Sequence, residues 1–140
     1  MNNYYFNDNT FRQTQIYKDF IGEYPASGNL RIRAYTANGA IPVSNLNVII
    51  YKEYENSKII FYEGSTDESG LIENIILPAP ELSSNIMTTP NFATYVLNVS
   101  GTKDNINKIY RINIYENVYV VQNINVTPSP SLRLGDNYGN

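Results

Sequence analysis

The amino-acid sequence predicts an all-β protein, a seven-stranded Greek-key β-sandwich preceded by an N-terminal arm or a short helix. Three observations predict this fold class. Between Gly28 and Thr127, apolar and polar residues alternate with a period of two, turn residues interrupt the alternation at short intervals, and helical periodicity is nearly absent. Short strands at this spacing are typical of two packed antiparallel sheets.

The chain has room for one domain, because its 140 residues lie within the usual size of a single domain. We divide it into an N-terminal arm (residues 1–27), a β-sandwich domain (28–127) and a C-terminal tail (128–140). The tail begins with alternating Pro and Ser and continues as a polar segment, which is typical of a linker.

The arm allows two structures. Its apolar residues fall at helical spacing in one stretch, and Thr10 followed by Gln13 fits a capping box. The residues at helical spacing are Tyr17, Phe20, Ile21 and Tyr24. An extended strand accommodates the same residues, so the sequence leaves helix and strand open.

The first two predicted strands flank a tight turn. Residues 30–35 place Leu, Ile and Ala on one face and Arg, Arg and Tyr on the other, as a half-buried strand requires. Asn38 and Gly39 then supply the positive φ of a reversal. The step Ile41-Pro42-Val43 leads into the second strand, over residues 46–51.

Five more strands follow. Residues 59–62 and 71–77 form the third and fourth, joined by a turn in which Asp67 bonds local backbone amides and Gly70 takes a positive φ. Pro78-Ala79-Pro80 ends the fourth strand and opens a long loop through residue 90, a length that is often functional. The last three strands cover residues 94–100, 108–115 and 118–126.

The composition removes the usual means of catalysis. The chain has neither cysteine nor histidine, so it lacks thiol nucleophiles, disulfides, the commonest general base and the commonest zinc ligand. Asp67 and Glu68 are adjacent, but neighbours on a tight turn point apart and do not form a paired-carboxylate or calcium site. We therefore predict that the protein is not an enzyme and has no catalytic residues, no metal site and no cofactor.

Charge and hydropathy limit the partners. The net charge is −3, only 16% of residues are charged, and no basic block is long enough to neutralise a row of phosphates, so nucleic acid is not a predicted partner. No segment approaches the ~20 apolar residues of a membrane span, and the first residues do not form a secretion signal.

Tyrosine is abundant, with 13 Tyr and 5 Phe but no Trp. This content exceeds what one core holds and indicates contact surfaces, although Tyr also suits outward strand positions. We expect aromatic residues of the arm to contact a neighbouring subunit, either through their side chains or as an added strand. These residues are Tyr4, Tyr5, Phe6, Phe11, Tyr17 and Phe20. The alternative is that the arm packs on its own domain.

One strand face is a second candidate surface. Arg31, Arg33 and an outward Tyr35 could bind sugars or peptides, because aromatic platforms and arginine forks suit such ligands. An ordinary solvated strand face explains the same three residues.

The stretches GNLRIRAYTANGAIPVSNLNVIIYKE and TDESGLIENIILPAP resemble the carboxypeptidase regulatory-like family of the transthyretin-like superfamily, over residues 28–126. The most specific parts are Ile41-Pro42-Val43 and the turn Thr66-Asp67-Glu68-Ser69-Gly70. The resemblance implies a transthyretin-like (prealbumin-like) sandwich in which Asp67 and Gly70 are structural. The LPAP loop and Tyr95-Val96-Leu97 are similar to domains of spore-forming Firmicutes, some attached to spore-cortex-lytic proteins, which implies a spore or envelope context.

Two functions follow as expectations. The first is a structural or assembly subunit of a spore or cell-envelope layer or filament, a homo-oligomer or polymer that self-associates through its arm, with another envelope or spore protein as a further partner. A layer assembled by the mother cell from its own cytoplasm needs no signal peptide. The second is a binding or regulatory module that docks on a cell-wall lytic enzyme or a glycan. We favour the first because no enzyme is attached.

Overall fold

A computed structural model of the chain describes residues 2–36, 39–82, 92–101 and 106–127. Within these residues the chain forms nine strands, one α-helix and one short 3₁₀ helix. In chain order they are β1 (Asn2–Tyr5), the 3₁₀ helix (Phe11–Gln13), α1 (Gln15–Glu23), β2 (Ala26–Thr36), β3 (Ile41–Pro42), β4 (Asn47–Tyr54), β5 (Ser57–Ser65), β6 (Leu71–Ala79), β7 (Phe92–Gly101), β8 (Ile106–Tyr115) and β9 (Tyr119–Asn125).

The strands form two sheets. The first has the order β1-β5-β4-β7-β8, and the second has the order β3-β2-β6 with β9 along the other side of β2. After β3 the chain passes to the first sheet for β4 and β5, to the second for β6, to the first for β7 and β8 and to the second for β9, so its connections cross between the sheets as in a Greek-key sandwich. The predicted β-sandwich with a short helix is therefore confirmed, with nine strands in the described residues instead of seven. The two additional strands are the short β1 and β3.

The main core lies between the sheets and follows the predicted alternation. On β2, the side chains of Leu30, Ile32 and Ala34 are completely buried, while their neighbours face outward. Burial of each large aliphatic side chain stabilises the fold by roughly 1.5–3 kcal/mol. Ile124 of β9 lies beside them in the second sheet, and the first sheet supplies the opposing side chains, which include Val48, Ile50, Leu97, Val99 and Ile114.

Tight turns and bulges set the strand registers. Glu55 and Asn56, between β4 and β5, both have positive φ (46° and 60°), as a two-residue hairpin turn requires. In β6 the register against β2 shifts between Ile72 and Ile75, where Asn74 has φ 60°. This bulge bends the edge of the second sheet.

Several boundaries differ from the sequence predictions. Pro78 and Ala79 belong to β6 instead of ending it, because β6 is an edge strand and tolerates a proline that donates no ladder bond. The segment Ile41–Pro42 pairs with β2 as a separate strand instead of opening the second predicted strand. The strand β2 starts at Ala26, inside the predicted arm. Residues 37–38, 83–91 and 128–140 lie outside the described residues, together with parts of the predicted turn and loop and the predicted tail.

Candidate functional site

The N-terminal arm docks on its own sandwich. Its strand β1 lies parallel to β5, with Tyr4 beside Ile59 and Tyr5 beside Ile60. The Phe6 N–H continues the ladder by donating to the Ile60 carbonyl oxygen at 2.9 Å. The arm thus supplies the edge strand of the first sheet, and both alternatives left open by the sequence occur, a strand followed by a helix.

A threonine starts the helix of the arm. The Thr14 Oγ1 accepts the Tyr17 N–H at 3.2 Å, which satisfies one of the free amides of the first turn. The predicted cap, Thr10, makes no side-chain capping bond and precedes only the 3₁₀ helix. At the other end the Tyr24 N–H bonds the Phe20 carbonyl oxygen at 2.8 Å, and Pro25 follows, where the helix cannot continue.

A second, aromatic core joins the arm to the sandwich. Phe11, Phe20 and Ile59 are buried at its centre. The Phe6 ring centroid lies 4.8 Å from that of Phe61, and the Phe20 centroid lies 5.5 Å from it. Such pairs contribute about 0.5–1.5 kcal/mol each beyond the burial of area. The side chains packed around this centre are Tyr4, Phe6, Ile16, Tyr17, Ile21, Tyr24, Tyr54 and Phe61.

Phe61 connects the two cores. It is the unpaired residue at the point where β5 shifts register against β4, between the partners of Ile50 and Tyr51. Its ring meets the buried Tyr95 ring edge-on at a centroid distance of 5.1 Å, while its other ring–ring contacts are with Phe6 and Phe20 of the arm. A bulge re-aims a side chain in this way, so the irregularity of β5 positions the arm.

Polar groups reinforce the same junction. The Tyr54 hydroxyl donates to Glu23 Oε1 at 2.9 Å and ties the end of α1 to β4. Lys52 Nζ donates to the Thr94 carbonyl oxygen at 3.0 Å and lies 5.3 Å from the Tyr24 ring centroid. Burial lowers the Lys52 pKa, and the negative charge of Glu23 partly opposes this effect. Burial and Glu23 both raise the pKa of Tyr54.

The predicted contact residues have unequal surroundings. Phe11 and Phe20 are 1% and 0% exposed, because within one chain they are buried against their own sandwich; contact of these residues with a neighbouring subunit stays a prediction. A docked helix and a 3₁₀ turn point them at β5. Tyr4, Phe6 and Tyr17 are half-buried in the same cluster, and Tyr5, at 46% exposure, remains accessible.

The sequence analysis did not identify the residues of the sandwich that contact the arm. Lys52, Tyr54 and Phe61 gave no periodic signal that marked them as arm contacts. One signal was present: Ile59-Ile60-Phe61-Tyr62 is a continuous apolar run that breaks the alternation, and the bulge lies within it.

The arginine face of the second sheet is engaged within the protein. Arg31 Nε lies 3.4 Å from Glu73 Oε1 as an ion pair, but not in hydrogen-bonding geometry. The Arg33 guanidinium lies 4.9 Å from the centroid of the Tyr35 ring.

A separate groove of about 320 Å³ lies on the outer face of the first sheet. The residues that line it are Tyr51, Lys52, Glu53, Thr94, Val96, Ile109 and Arg111.

The turn residues are placed as follows. Asp67 Oδ1 accepts the N–H groups of Ser69 at 2.8 Å and Leu71 at 3.0 Å, and Gly70 has φ +75°.

Across the described ranges, no cluster of three acidic residues is arranged to hold a metal ion. The helices of those ranges also include none that is long and apolar enough to cross a membrane.

No family model matches the chain, and no curated protein matches it by sequence. Three solved structures are similar in fold. A 5-hydroxyisourate hydrolase of Klebsiella pneumoniae shares 14% identity at a TM-score of 0.48, over 73% of this chain and 91% of that one. The minor pilin GBS52 of Streptococcus agalactiae shares 16% at 0.49, over 75% and 46%. The shaft pilin of Lactobacillus rhamnosus GG shares 17% at 0.46, over 72% and 48%.

These similarities are too distant to indicate a function for this chain, which spans about half the length of each pilin. One of them corrects the sequence analysis. The prediction that the protein is not an enzyme is contradicted, because a hydrolase is among the proteins of similar fold. The absence of histidine and cysteine removes particular mechanisms and does not exclude catalysis by other side chains.

Proposed function

We propose that this chain is a structural or assembly subunit of a bacterial spore or cell-envelope layer, and that copies associate by exchanging their N-terminal arms. The observation that carries the proposal is the organisation of the arm. Its strand, its helix and its aromatic core form one unit. In the chain, the two residues Tyr24 and Pro25 link this unit to the first residue of β2.

Arm exchange uses contacts that already exist within one chain. If the hinge at Tyr24 and Pro25 extends, β1 of one copy pairs with β5 of a neighbour, and Phe20 enters the neighbour's aromatic core. Because the contacts are identical in both arrangements, hinge strain and protein concentration decide between them. Reciprocal exchange closes a dimer, whereas head-to-tail exchange builds a filament or layer.

A double cysteine variant distinguishes the two arrangements. Asn3 lies directly beside Lys58 across the β1–β5 pair. Neighbouring strands are about 4.8 Å apart, which is within the reach of a disulfide. The chain has no cysteine of its own. We expect oxidised Asn3→Cys/Lys58→Cys protein to run as covalent dimers or a ladder on a non-reducing gel, and as a single monomer band after reduction.

The single variants Asn3→Cys and Lys58→Cys are the matched controls, since neither alone can join β1 to β5. Mixing the two single variants and oxidising them must then give a heterodimer, because that bond can form only between chains. If the double variant yields only a compact covalent monomer, and the mixture yields no heterodimer, the arm stays on its own sandwich and this proposal is wrong.

The groove on the outer face of the first sheet favours a second candidate, a module that docks on a cell-wall lytic enzyme or a glycan. Tyr51 contributes an aromatic ring there, with Lys58 Nζ 4.1 Å from its centroid, and Glu53 and Arg111 offer polar groups of opposite charge. Size-exclusion chromatography with light scattering separates the candidates. An oligomer or polymer supports assembly, and a monomer that binds peptidoglycan fragments supports the docking module.

A further inference from the structure

The edge strands of the sandwich differ in how well they are protected against pairing with a strand of another chain. An open edge invites pairing with another chain, and proteins blunt it with short strands, charges, prolines or bulges. In the first sheet, β1 has only four residues and β8 carries Lys108 and Arg111. In the second sheet, β6 has a bulge at Asn74 and contains Pro78. The other edge, β9, has the sequence YVVQNIN and none of these features.

Two hydrogen bonds fix which groups of β9 face outward. The Val118 carbonyl oxygen accepts the Asn29 N–H at 3.0 Å, and the Val126 N–H donates to the Tyr35 carbonyl oxygen at 2.8 Å. A parallel ladder uses alternate residues of each strand, so the even-numbered residues of β9 bond to β2. The N–H and C=O groups of Tyr119, Val121 and Asn123 therefore point away from the sheet.

We propose that β9 pairs antiparallel with β9 of a second copy, about a two-fold axis that passes through Val121. Val121 then lies opposite the second copy's Val121, and Tyr119 lies opposite the second copy's Asn123. Each of the three residue pairs exchanges two backbone bonds, about six in total. The contact deepens the assembly role proposed above, since it joins surfaces that the arm does not touch.

A lysine of β8, the edge strand of the first sheet, selects this register. Lys108 Nζ donates to the Asn125 carbonyl oxygen at 2.6 Å, so that end of the β9 edge already has a partner. A shift by two residues would place Tyr119 of one copy opposite Asn125 of the other and would displace the lysine. Pairing centred on Val121 uses Tyr119, Val121 and Asn123 and leaves the bond between Lys108 and Asn125 in place.

Side chains on the outer face favour the same pairing. Tyr119 is 50% exposed and Val121 is 44% exposed, which is high for large apolar residues on a strand. In the pair, the two Val121 side chains become neighbours and each Tyr119 packs beside an Asn123. Cross-strand pairs of β-branched and aromatic side chains stabilise sheets.

Charge does not oppose the contact. Two charged side chains lie beside the contact on that face: Arg31, beside Val121, pairs with Glu73, and Arg33, beside Asn123, stacks on Tyr35. The arginines of one copy are at least three strand spacings, about 14 Å, from those of the other. This exceeds the screening length of about 8 Å at physiological ionic strength, so their repulsion is largely screened.

Single cysteines test the register directly. Residues in a hydrogen-bonded antiparallel pair have Cα atoms about 5.5 Å apart, which suits a disulfide. We expect Val121→Cys to form a covalent dimer under mild oxidation at low micromolar concentration. In the matched control Asn123→Cys, the two cysteines lie four residues out of register, about 13 Å apart, and form at least tenfold less dimer. Equal rates of cross-linking for both variants, or none for Val121→Cys, overturn the proposal.

A charged variant gives an independent measurement. Val121→Lys places a cation on the outward edge and is expected to lower the mass of the wild-type particle at least twofold by light scattering, with an unchanged circular dichroism spectrum. A monomeric wild-type protein at about 100 µM, or an unchanged mass for the variant, counts against the β9 contact. The outcome is separable from arm exchange: if the Asn3–Lys58 disulfide forms only within one chain while Val121→Cys still cross-links, the arm proposal fails and this one stands.

Discussion

A single glycine shows how one residue fixes a connection between the sheets. Gly70 has φ +75°, in the left-handed region, and a Cβ at this position would collide with the carbonyl oxygen of Ala34. The same turn is held by Asp67, whose carboxylate accepts two backbone amides. The Ala34 N–H in turn donates to the Gly70 carbonyl oxygen at 2.8 Å. The backbone of the turn is therefore packed directly against β2.

We predict that Gly70→Val lowers the free energy of unfolding by more than ~1 kcal/mol, because a β-branched residue is strained at positive φ and its Cβ also meets backbone. Urea denaturation at constant m-value measures the change. The control is Gly22→Ala in α1, where no atom lies within 4 Å of the added Cβ and the helix gains up to about 1 kcal/mol. Equal stability of Gly70→Val and wild type would show that the turn tolerates side chains.

Tyrosines set the response to alkaline pH. Burial raises the pKa of Tyr24, Tyr54, Tyr62, Tyr95 and Tyr110 above the ordinary value. A pKa that is raised in the folded state gives stability that is complete below the unfolded pKa, about 10, and is lost as pH rises through the folded pKa. Lys52, whose pKa burial lowers, acts in the opposite direction as pH approaches its unfolded pKa, about 10.4.

The five tyrosines lower stability at high pH and Lys52 raises it, so the tyrosines determine the net effect. We predict that stability falls steeply above pH 10 and changes little between pH 7 and 9. Thermal melts across this range measure stability, and absorbance at 295 nm follows phenolate formation. Tyr95, which is fully buried and donates to the Pro78 carbonyl oxygen, should ionise only on unfolding. A rise in the melting temperature between pH 10 and 11 would contradict the prediction.

At the scale of the elements, the helix α1 depends on a cap that the sequence analysis misplaced. The motif Thr10 with Gln13 fits a capping box, but residues 11–13 form a 3₁₀ turn and the cap is Thr14. Thr14 also donates its hydroxyl to the Phe11 carbonyl oxygen at 2.7 Å. The same side chain therefore fixes the angle between the two short helices.

We predict that Thr14→Ala destabilises the protein by about 1 kcal/mol, the usual cost of losing a threonine cap, with a further loss for the second bond. Thr10→Ala is the matched control, an exposed threonine of the same arm that makes no capping bond, and should change stability by less than about 0.5 kcal/mol. Chemical denaturation of the two variants side by side tests the assignment, and it fails if Thr10→Ala is the more harmful change.

Strands and arm differ in how well the sequence predicts them. Alternation places Leu30, Ile32 and Ala34 on the inner face because a half-buried strand requires this pattern. The docking of the arm is a tertiary effect: its site includes Phe61, which a bulge turns toward the arm, and Tyr54, which binds Glu23 from a distant element. Local periodicity contains no information on either contact, so the site could not be derived from spacing alone.

At the scale of the whole molecule, two cores meet at a narrow junction. The main core lies between the sheets, and the aromatic core lies between the arm and β5. Phe61 and Tyr24 pack against both. Local openings of proteins often follow such units, and the arm has its own helix, its own strand and a short connection to β2. This organisation is also what arm exchange requires.

We predict that the arm undocks before the sandwich unfolds. Phe20→Ala removes the buried centre of the aromatic core and should cost about 3–5 kcal/mol of arm docking. In hydrogen exchange, the Phe6 and Tyr24 amides, which bond carbonyl oxygens of β5 and α1, should then lose protection while the amides of β7 keep theirs.

The matched control is Leu97→Ala, which removes a fully buried side chain of the main core at a similar cost of about 2–5 kcal/mol. It should lower the exchange protection of β7 and of the arm together, because the arm docks on β5 and the first sheet opens as a whole. The asymmetry between the two variants is the critical result. If Phe20→Ala reduces protection in β7 as much as in the arm, Phe61 couples the cores into one cooperative unit, and an arm that leaves without unfolding its sandwich cannot be the connector between copies.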